Sequence, residues 1–197
     1  MNQPYILILY YSRSGGTKNL ALHIARGVDQ IDGIKPIIRT VPELSTTIES
    51  TAPPVPEEGA VYCTKEELTQ CSGLALGSPT RFGNLAAPLK HFIDSTADLW
   101  ITHALADKPA SVFASSNSLH GGQESTLLTM IVPLLHHGMI LQGLPYSEPA
   151  LNETTTGGTP YGVTHLGKSG PELSVHEAAL AVAVGRRLAN TALRLRD

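Results

Sequence analysis

Residues 12–17 read Ser-Arg-Ser-Gly-Gly-Thr and come directly after a run of apolar residues, a combination that suits an anion-binding turn. Glycines let the backbone approach a ligand closely, and the N–H groups at the start of a following helix favour a phosphate monoester. The segment lacks the patterns GxxxxGK(S/T) and GxGxxG, so it predicts neither a nucleoside triphosphate site nor a dinucleotide-binding turn. An ordinary turn between a strand and a helix, with Thr17 as the helix N-cap, accounts for these six residues equally well.

Two further segments carry residues that could hold a planar ligand. Residues 78–84 read Ser-Pro-Thr-Arg-Phe-Gly-Asn, in which Pro79 restricts the backbone. Phe82 could stack on an aromatic ring, and Arg81 could balance negative charge on that ring. A structural loop with a surface arginine is the alternative for this segment. Residues 115–122 read Ser-Ser-Asn-Ser-Leu-His-Gly-Gly and offer many hydrogen-bond donors.

Three ring side chains stand outside these loops. His136 and His137 end a predicted helix, where paired histidines more often interact with the helix dipole than take part in catalysis. Trp100 is the only tryptophan and follows a predicted helix. The sequence leaves open whether it forms a wall of a ligand site or packs in the core.

Other chemistries lack support in the sequence. There is no GxSxG elbow for a serine nucleophile and no HExxH or clustered carboxylate–histidine set, so we expect no metal site. Cys63 and Cys71 are the only cysteines, and their spacing suits neither a zinc site nor a disulfide framework. We interpret both as partly buried thiols in a reducing cytoplasm.

Strand-like and helix-like segments alternate five times along the chain, and this alternation must position the three loops. Apolar residues at helical spacing predict helices, including residues 123–136 and a last helix whose stripe runs from Ala181 to Leu195. Residues 64–67 and 174–177 are capping boxes that begin helices. Such alternation calls for a doubly wound parallel sheet with right-handed crossovers. The predicted strands are 5–11, 37–41, 73–77, 110–114 and 139–141.

Two stretches lack periodicity. Residues 43–62 are rich in Pro, Thr, Glu and Ser and are predicted to form a surface excursion, and residues 144–173 are predicted to form an irregular loop. In a doubly wound sheet, ligands bind outside the carboxyl ends of the strands. Because the segments 12–17, 78–84 and 115–122 follow the first, third and fourth strands, we expect them to border one crevice.

The composition limits the class of protein. With 197 residues, 42% of them apolar and 16% charged, the chain is predicted to be one domain spanning residues 1–197 rather than a disordered protein. It shows neither the run of about 18 apolar residues that a membrane span requires nor the positive region of a signal peptide, so we expect a cytoplasmic protein. A net charge of −3 argues against a nucleic-acid partner. The low charged fraction predicts that further copies of the chain cover part of its surface.

Taken together, these residues resemble the flavodoxin-like superfamily and, within it, the WrbA family of NAD(P)H:quinone oxidoreductases. Residues 12–17 are similar to the loop (S/T)-x-(S/T)-G-x-(S/T) that holds the FMN phosphate in flavodoxins. Residues 77–84 are similar to the family's isoalloxazine loop, G-(S/T)-P-T-R-(F/Y)-G-N. The resemblance covers nearly the whole chain. Further similarities lie at Trp100 and at residues 120–124, 136–139 and 157–162.

The resemblance implies a fold, a cofactor and a set of site residues. The fold is a flavodoxin-like, doubly wound sheet of five parallel strands in the order 2-1-3-4-5, with helices on both faces and FMN at the switch point. The resemblance also implies a homotetramer, and in the family the sites lie near subunit contacts. Trp100 matches the family's quinone-facing aromatic residue. Arg81 and His136 match catalytic positions: Arg81 would stabilise charge on the reduced flavin, and His136 would steady that charge or supply a proton. The implied cofactor-binding residues are Ser12, Arg13, Ser14, Gly15, Gly16, Thr17, Pro79, Thr80, Arg81, Phe82, Gly83, Asn84, Ser115, Ser116, Asn117, Ser118, Leu119, His120, Gly121, Gly122 and His136.

The resemblance further implies FMN-dependent, two-electron reduction of quinones. NADH or NADPH delivers a hydride to flavin N5 and leaves, and a quinone then accepts it in the same place, so ping-pong kinetics are expected. This chain differs from many relatives at Ser14, where the family often has a tyrosine beside the nicotinamide site, and at Leu119 and His120, where relatives carry glycines.

Two alternatives remain open. One is an electron carrier of the flavodoxin kind, although such carriers usually have a more acidic surface than the 17 acidic and 14 basic residues of this chain provide. The other is a non-enzymatic interaction protein that keeps the flavin for oligomer stability.

Overall fold

The computed structural model describes residues 3–44, 56 and 58–196, and a parallel sheet lies at its centre. Its strands are β1 (Tyr5–Tyr10), β2 (Lys35–Thr40), β3 (Gly73–Pro79), β4 (Pro109–Ser116), β5 (Ile140–Leu141) and β6 (Val163–Leu166). Five strands are hydrogen-bonded in the order β2-β1-β3-β4-β5, and β6 also pairs with β4. All of these pairings are parallel.

Helices cover both faces of the sheet. They are α1 (Gly16–Val28), α2 (Lys65–Gln70), α3 (Ala87–Asp94), α4 (Ala97–Ile101), α5 (Gln123–His136), α6 (Pro149–Glu153) and α7 (Val175–Arg194). Ile6 and Ile8 of β1 pack with α1 and α7 on one face, whereas Leu7 and Leu9 pack with α3 and α5 on the other. A strand buried on both faces must be apolar throughout, which is why the sequence shows β1 as a continuous apolar run. Among the helices that the structure describes, none has the length and apolar character needed to cross a membrane.

The predicted architecture is confirmed. The strand order is the expected 2-1-3-4-5, and the strand ends lie within one or two residues of the predicted ones. Both capping boxes are closed: the Thr64 hydroxyl accepts from the Glu67 N–H, the Ser174 hydroxyl accepts from the Glu177 N–H, and each glutamate side chain accepts from its N-cap N–H. These local motifs survive in the fold because their hydrogen bonds join residues only three positions apart.

The segment 144–173 contains more regular structure than its sequence predicts. It holds α6, β6 and a 3-10 turn (Gly167–Ser169). β6 pairs with the carboxyl half of β4, from Phe113 to Ser116, beyond the residues where β5 pairs. Its four residues are too few to show the period of two that marks a strand, so periodicity could not reveal it.

The Gly/Thr/Pro motif at residues 157–162 lets β6 lie against β4. A Cβ on Gly162 would overlap the carbonyl oxygen of Val112, and a Cβ on Gly157 would overlap that of Thr164. These two glycines are therefore required by close backbone packing.

One local alternative is wrong, and one expectation falls largely outside the described residues. α1 begins at Gly16 with Gly15 as its N-cap, so Thr17 is not the N-cap. The Thr17 hydroxyl instead lies 2.8 Å from that of Ser115. Trp100 follows α3, as predicted, and lies within α4, a short helix that the sequence did not predict. Most of the predicted surface excursion at residues 43–62 lies outside the described residues.

Candidate functional site

The loops that follow β1, β3 and β4 meet at the carboxyl edge of the sheet. The Tyr11 N–H donates to the Gly77 carbonyl oxygen at 3.0 Å, and the Thr80 N–H donates to the Ser115 carbonyl oxygen at 2.8 Å. Between the loops lies a cavity of about 590 Å³, which we call the cleft. Its volume is in the range of small-molecule sites. The cleft is lined by Arg13, Ser14, Pro79, Thr80, Arg81, Ser115, Ser116, Asn117, Ser118 and Gly121.

The first loop, residues 12–17, curls around the side chain of Ser12. Its hydroxyl accepts from the Gly15 N–H at 3.2 Å and from the Lys18 N–H at 3.3 Å. Gly15 is in the left-handed conformation, with φ 91°, and supplies no side-chain cap to α1. The N–H groups of Gly16 and Thr17 lie in the first turn of the helix, where intrahelical acceptors are lacking. This end of α1 is therefore suited to an anion.

The second loop, residues 78–84, contains a tight turn that exposes an aromatic ring. The Arg81 N–H donates to the Asn84 carbonyl oxygen at 2.8 Å, and the Asn84 N–H donates back at 3.0 Å. The two residues between them, Phe82 and Gly83, have φ of 53° and 79°, as a two-residue turn of type I′ requires. A left-handed conformation costs a non-glycine residue about 1 kcal/mol or more, yet the Phe82 side chain is fully exposed. Strained residues of this kind cluster at binding sites.

The third loop, residues 115–122, contributes its first half to the cleft and its last residue to α5. The Ser116 hydroxyl donates to the Ser118 carbonyl oxygen at 2.8 Å, and the Gly121 N–H donates to the same oxygen at 3.1 Å. Gly122, with φ 92°, is the N-cap of α5. The predicted cofactor-binding residues that lie outside the lining of the cleft are Ser12, Gly15, Gly16, Thr17, Phe82, Gly83, Asn84, Leu119, His120, Gly122 and His136.

A second cavity, of about 570 Å³, is lined by three of the predicted residues that lie away from the cleft, Asn84, Trp100 and His136. We call it the aromatic cavity, because Trp100 of α4 lines it, together with His136 and His137 at the end of α5. The structure therefore separates Trp100 and His136 from the cleft of the same chain. Apolar side chains complete much of the lining: Leu85, Ile93, Ala97, Val132 and Pro133.

A third cavity, of about 900 Å³, lies beside the other two. It shares Arg13 and Arg81 with the cleft and Asn84 and Lys90 with the aromatic cavity. Among the described residues, the cleft and the aromatic cavity share no lining residue with each other, and each borders this third cavity.

Tyr11 and Glu43 form a hydrogen-bonded pair in this third cavity. The Tyr11 hydroxyl donates to Glu43 Oε1 at 3.0 Å. Burial and then this hydrogen bond raise the pKa of Tyr11, although the positive charges of Arg81 and Arg13 act in the opposite direction. The hydroxyl consequently keeps its proton at neutral pH.

His137 is a cavity residue that the sequence did not assign to the site. Its Nε2 lies 3.0 Å from the Thr96 hydroxyl oxygen, and its Nδ1 is buried without a hydrogen-bond partner among the described residues. Burial, and then the neighbouring His136, lower the pKa of His137, so the ring is neutral at neutral pH. Sequence position shows that both histidines end a helix, but it does not show which ring a tertiary neighbour will cover.

Two more residues near the cleft, His165 of β6 and Glu177 of α7, escaped the sequence analysis. They form a buried ion pair, and His165 lines a small cavity of about 240 Å³ together with Ser14, Ser115 and Asn117. The capping box indicated Glu177 only as a helix cap. Nothing in the sequence of the segment 144–173 pointed to His165.

The sheet order, the helices on both faces and the cleft at the carboxyl edge define a flavodoxin-like α/β protein. The chain is similar in structure to a WrbA-like flavodoxin protein from Agrobacterium tumefaciens, with a TM-score of 0.68 and 19% identity over 98% of this chain and 99% of that one. It is also similar to flavodoxin 2 from Bacillus cereus, with a TM-score of 0.59 and 19% identity over 97% and 99% of the two chains.

Within this class, the chain belongs to the NADPH-dependent FMN reductase family, whose model matches residues 5–147. It is 40% identical to a NAD(P)H dehydrogenase (quinone) of Solidesulfovibrio magneticus over 97% of this chain and 98% of that protein. It is 38% identical to a protein of the same name from Geotalea daltonii over 96% of this chain and 97% of that protein. The predicted family resemblance is confirmed by these matches.

Proposed function

We propose that this protein catalyses the FMN-dependent, two-electron reduction of quinones to hydroquinones, with NADH or NADPH as the hydride donor. The observation that carries the proposal is the cleft, in which an anion-binding helix end and two polar loops meet at one edge of the sheet. Relatives that are 38% and 40% identical over almost the whole chain carry the name NAD(P)H dehydrogenase (quinone), which supports the same activity here.

The first loop fits the phosphate group of FMN. The N–H groups of Gly16 and Thr17 supply donors at the positive end of α1, whose first turn contains no acidic residue. Arg13 adds a positive charge at the cleft. Every group in this set donates hydrogen bonds or can do so, as a phosphate dianion requires. We therefore assign the phosphate to residues 12–17.

The second and third loops fit the flavin ring. Pro79, Thr80 and Arg81 line the cleft together with residues 115–118. The Arg81 guanidinium donates to the Thr80 carbonyl oxygen at 2.8 Å, which holds its positive charge at the cleft. A fixed positive charge stabilises negative charge on a bound ring. When bound, FMN supplies the two-electron chemistry, since it can accept a hydride from a nicotinamide and pass it to a quinone.

We assign the aromatic cavity to the quinone. Trp100 offers a flat apolar surface, and His136 and His137 offer ring nitrogens at its edge. Trp100 is half exposed, which leaves its ring accessible to a substrate. His136 would donate a hydrogen bond or a proton to the quinone oxygen.

An exposed apolar surface supports the assembly of the chain as a homotetramer. Leu128, Val132 and Leu135 recur at the spacing of one helical face on α5, and all three are exposed, as are Phe82 and Trp100. An exposed apolar helix face of this kind is typical of an interface. Because Trp100 and His136 are separated from the cleft of their own chain, a second copy could bring them to the cleft of its neighbour.

The test is a visible spectrum of the FMN-reconstituted protein under anaerobic conditions. NADH or NADPH is expected to bleach the flavin absorption, and benzoquinone is expected to restore it. Parallel initial-velocity lines are expected when both substrates are varied, because one site serves both. Arg81→Gln should lower kcat, whereas Arg187→Gln, which removes an exposed arginine of α7, should leave it unchanged.

Three results would contradict the proposal in different ways. If the protein stays colourless after incubation with excess FMN and removal of the unbound FMN, it is not a flavoprotein. If a redox protein reduces the bound flavin but neither NADH nor NADPH bleaches it, the protein is an electron carrier. Full FMN occupancy with negligible turnover of every quinone identifies an interaction protein. We also propose a cytoplasmic location and a single domain over residues 1–197, which cell fractionation and limited proteolysis test.

A further inference from the structure

The ion pair between His165 and Glu177 is buried, and the function proposed above gives neither residue a role. Each side chain is only 1% exposed. His165 Nδ1 lies 3.0 Å from Glu177 Oε2, and His165 Nε2 lies 3.1 Å from the carbonyl oxygen of Gly170. A carbonyl oxygen can only accept, so Nε2 must carry a hydrogen. The state of Nδ1 then depends on whether Glu177 is ionised.

The contacts of Glu177 show that it is a carboxylate. Oε1 accepts from the N–H groups of Gly157 and Leu166, each at 2.9 Å. Oε2 accepts from the Ser174 N–H at 2.8 Å and faces His165. Three backbone N–H donors on its two oxygens stabilise the ionised form of Glu177 over the neutral acid. His165 Nδ1 then donates to Oε2, and the ring is an imidazolium.

The pKa directions agree with this hydrogen-bond count. Burial alone would raise the pKa of Glu177, but the hydrogen bonds from His165, Leu166 and Ser174 lower it to about 2. Burial alone would lower the pKa of His165, but the hydrogen bond and charge of Glu177, with the Gly170 carbonyl, raise it.

The imidazolium lies directly behind the first loop. A Cβ added to Gly16 would be 2.5 Å from His165 Cδ2 and 3.2 Å from its Nε2, so the ring edge packs on the backbone where α1 begins. His165 also lines the small cavity between the first and third loops, next to Ser14 and Asn117. Glu177 does not line that cavity among its described residues. The positive member of the pair thus faces the loops, and the negative member lies behind it in the capping box of α7.

Other charges near the first loop are solvated. Arg13 and Lys18 are exposed, so water and salt screen them. The ring packs against Gly16 and Gly167 and hydrogen-bonds to the Gly170 carbonyl oxygen and to Glu177, and among these four residues Glu177 has the charged side chain. Lys168 and Glu172, which follow β6 in the chain, are exposed to water.

We infer that His165 is the buried positive charge of the phosphate site, held as an imidazolium by Glu177 so that residues 12–17 favour a ligand that carries a phosphate. This inference rests on the proposed function, because the ligand concerned is FMN. Loss of the imidazolium charge would leave Glu177 as an uncompensated negative charge behind the loop. His165 is a positioning residue, since it acts through the loop and its electrostatic field.

The experiment compares FMN with riboflavin, which has the same ring but no phosphate. The protein freed of flavin is titrated with each compound, and quenching of flavin fluorescence gives the two dissociation constants. His165→Asn keeps a donor for Glu177 and removes the charge, and His165→Gln keeps a donor for Gly170. Both variants are expected to weaken FMN binding on the order of 10-fold or more, because a buried charge is poorly screened. Riboflavin binding should change by less than about 2-fold, since its neutral chain feels little of that field.

His176→Gln is the matched control. His176 lies on the same helix as Glu177 but is partly exposed, with Nε2 3.5 Å from Glu153 Oε2. This variant should bind both flavins as the original chain does. Far-UV circular dichroism establishes that each variant is folded, and nitrogen-15 spectra of histidine-labelled protein should show both ring nitrogens of His165 protonated at neutral pH.

The outcomes separate this inference from the proposed function. Equal losses of FMN and riboflavin affinity in the His165 variants, or no loss of either, would overturn the inference and leave quinone reduction standing. A neutral His165 ring in the nitrogen-15 spectra would also overturn it. A protein that binds FMN with the expected selectivity but reduces no quinone would refute the proposed function alone. An original chain that binds neither flavin would refute both.

Discussion

The buried carboxylate of Glu177 should make the free energy of unfolding depend on pH, and Glu177→Gln should remove this contribution. The pKa of Glu177 is lowered from 4.5 to about 2 in the folded protein. Each pKa unit corresponds to about 1.4 kcal/mol, so ionised Glu177 contributes about 3 kcal/mol to the free energy of unfolding at neutral pH. Because the folded-state pKa is the lower one, this contribution is present above pH 4.5 and is lost as the pH falls towards 2.

The assay is urea unfolding, followed by far-UV circular dichroism, from pH 7 down to pH 3 and below. Glu177→Gln should already be destabilised at pH 7, because the new amide group must face backbone N–H donors on either side. Below pH 4.5 the original chain should lose the contribution of ionised Glu177, which the variant lacks, so the gap between the two should narrow there by up to about 3 kcal/mol. Between pH 6.5 and 4.5 the gap should first widen, because burial without a carboxylate partner lowers the pKa of His165 in the variant.

Glu67 provides the matched control for this experiment. It also closes a capping box, but its ion pair with Arg39 is about one-quarter exposed. Solvent screens such a pair, so Glu67→Gln should change the free energy of unfolding by about 1 kcal/mol or less. Parallel pH profiles for the original chain and Glu177→Gln would refute the reasoning, because they would mean that Glu177 has the same pKa in the folded and unfolded states.

The remaining predictions concern other parts of the site. Phe82→Gly should leave the Tm unchanged or raise it by a few degrees. It relieves about 1 kcal/mol of left-handed strain, and the greater freedom of glycine in the unfolded chain offsets this gain. Flavin affinity should fall because the aromatic ring is lost. Gly16→Ala should lower the free energy of unfolding by about 1–3 kcal/mol and weaken FMN binding, because its Cβ would displace the His165 ring; urea unfolding and fluorescence titration measure both. The double variant Val132→Glu and Leu135→Glu should dissociate the proposed tetramer, since charge on an apolar contact is costly; light scattering after size exclusion gives the mass.

Each of these predictions has an opposing result. A fall of more than about 4 °C in the Tm of Phe82→Gly would mean that the ring is packed rather than exposed. An unchanged free energy of unfolding in Gly16→Ala would mean that the His165 ring does not rest on the start of α1. An unchanged mass in the α5 double variant would place the interface elsewhere.

The sequence determined the parts of this protein that depend on local periodicity and on short-range hydrogen bonds. The apolar run at residues 5–11 specifies a strand that is covered on both faces, and the fold buries it in that way. The capping boxes at residues 64–67 and 174–177 join neighbours three positions apart, so their pattern alone predicts the helix starts. The approach of the three loops also follows from sequence, because the carboxyl ends of parallel strands meet at one edge of the sheet.

The sequence could not place groups that meet only after the chain has packed. His165 lies in a four-residue strand without visible periodicity, and its partner Glu177 looked like a helix cap and no more. Trp100 and His136 could be assigned to a site by family resemblance, but only the structure shows that they line a cavity apart from the cleft. Phe82 is left-handed because the two backbone hydrogen bonds between Arg81 and Asn84 close a tight turn around it.

There is a physical reason why the sequence predicts some features and only the tertiary structure shows others. Helices, strands and caps are specified by contacts between residues close in the chain, and residue types alone carry that information. The ionisation of His165 is decided by Gly170 on one side and by Glu177, which reaches it from α7, on the other. The sequence records that an imidazole is present, whereas the folded arrangement of its acceptors decides that the ring carries a positive charge and that this charge lies behind the first loop.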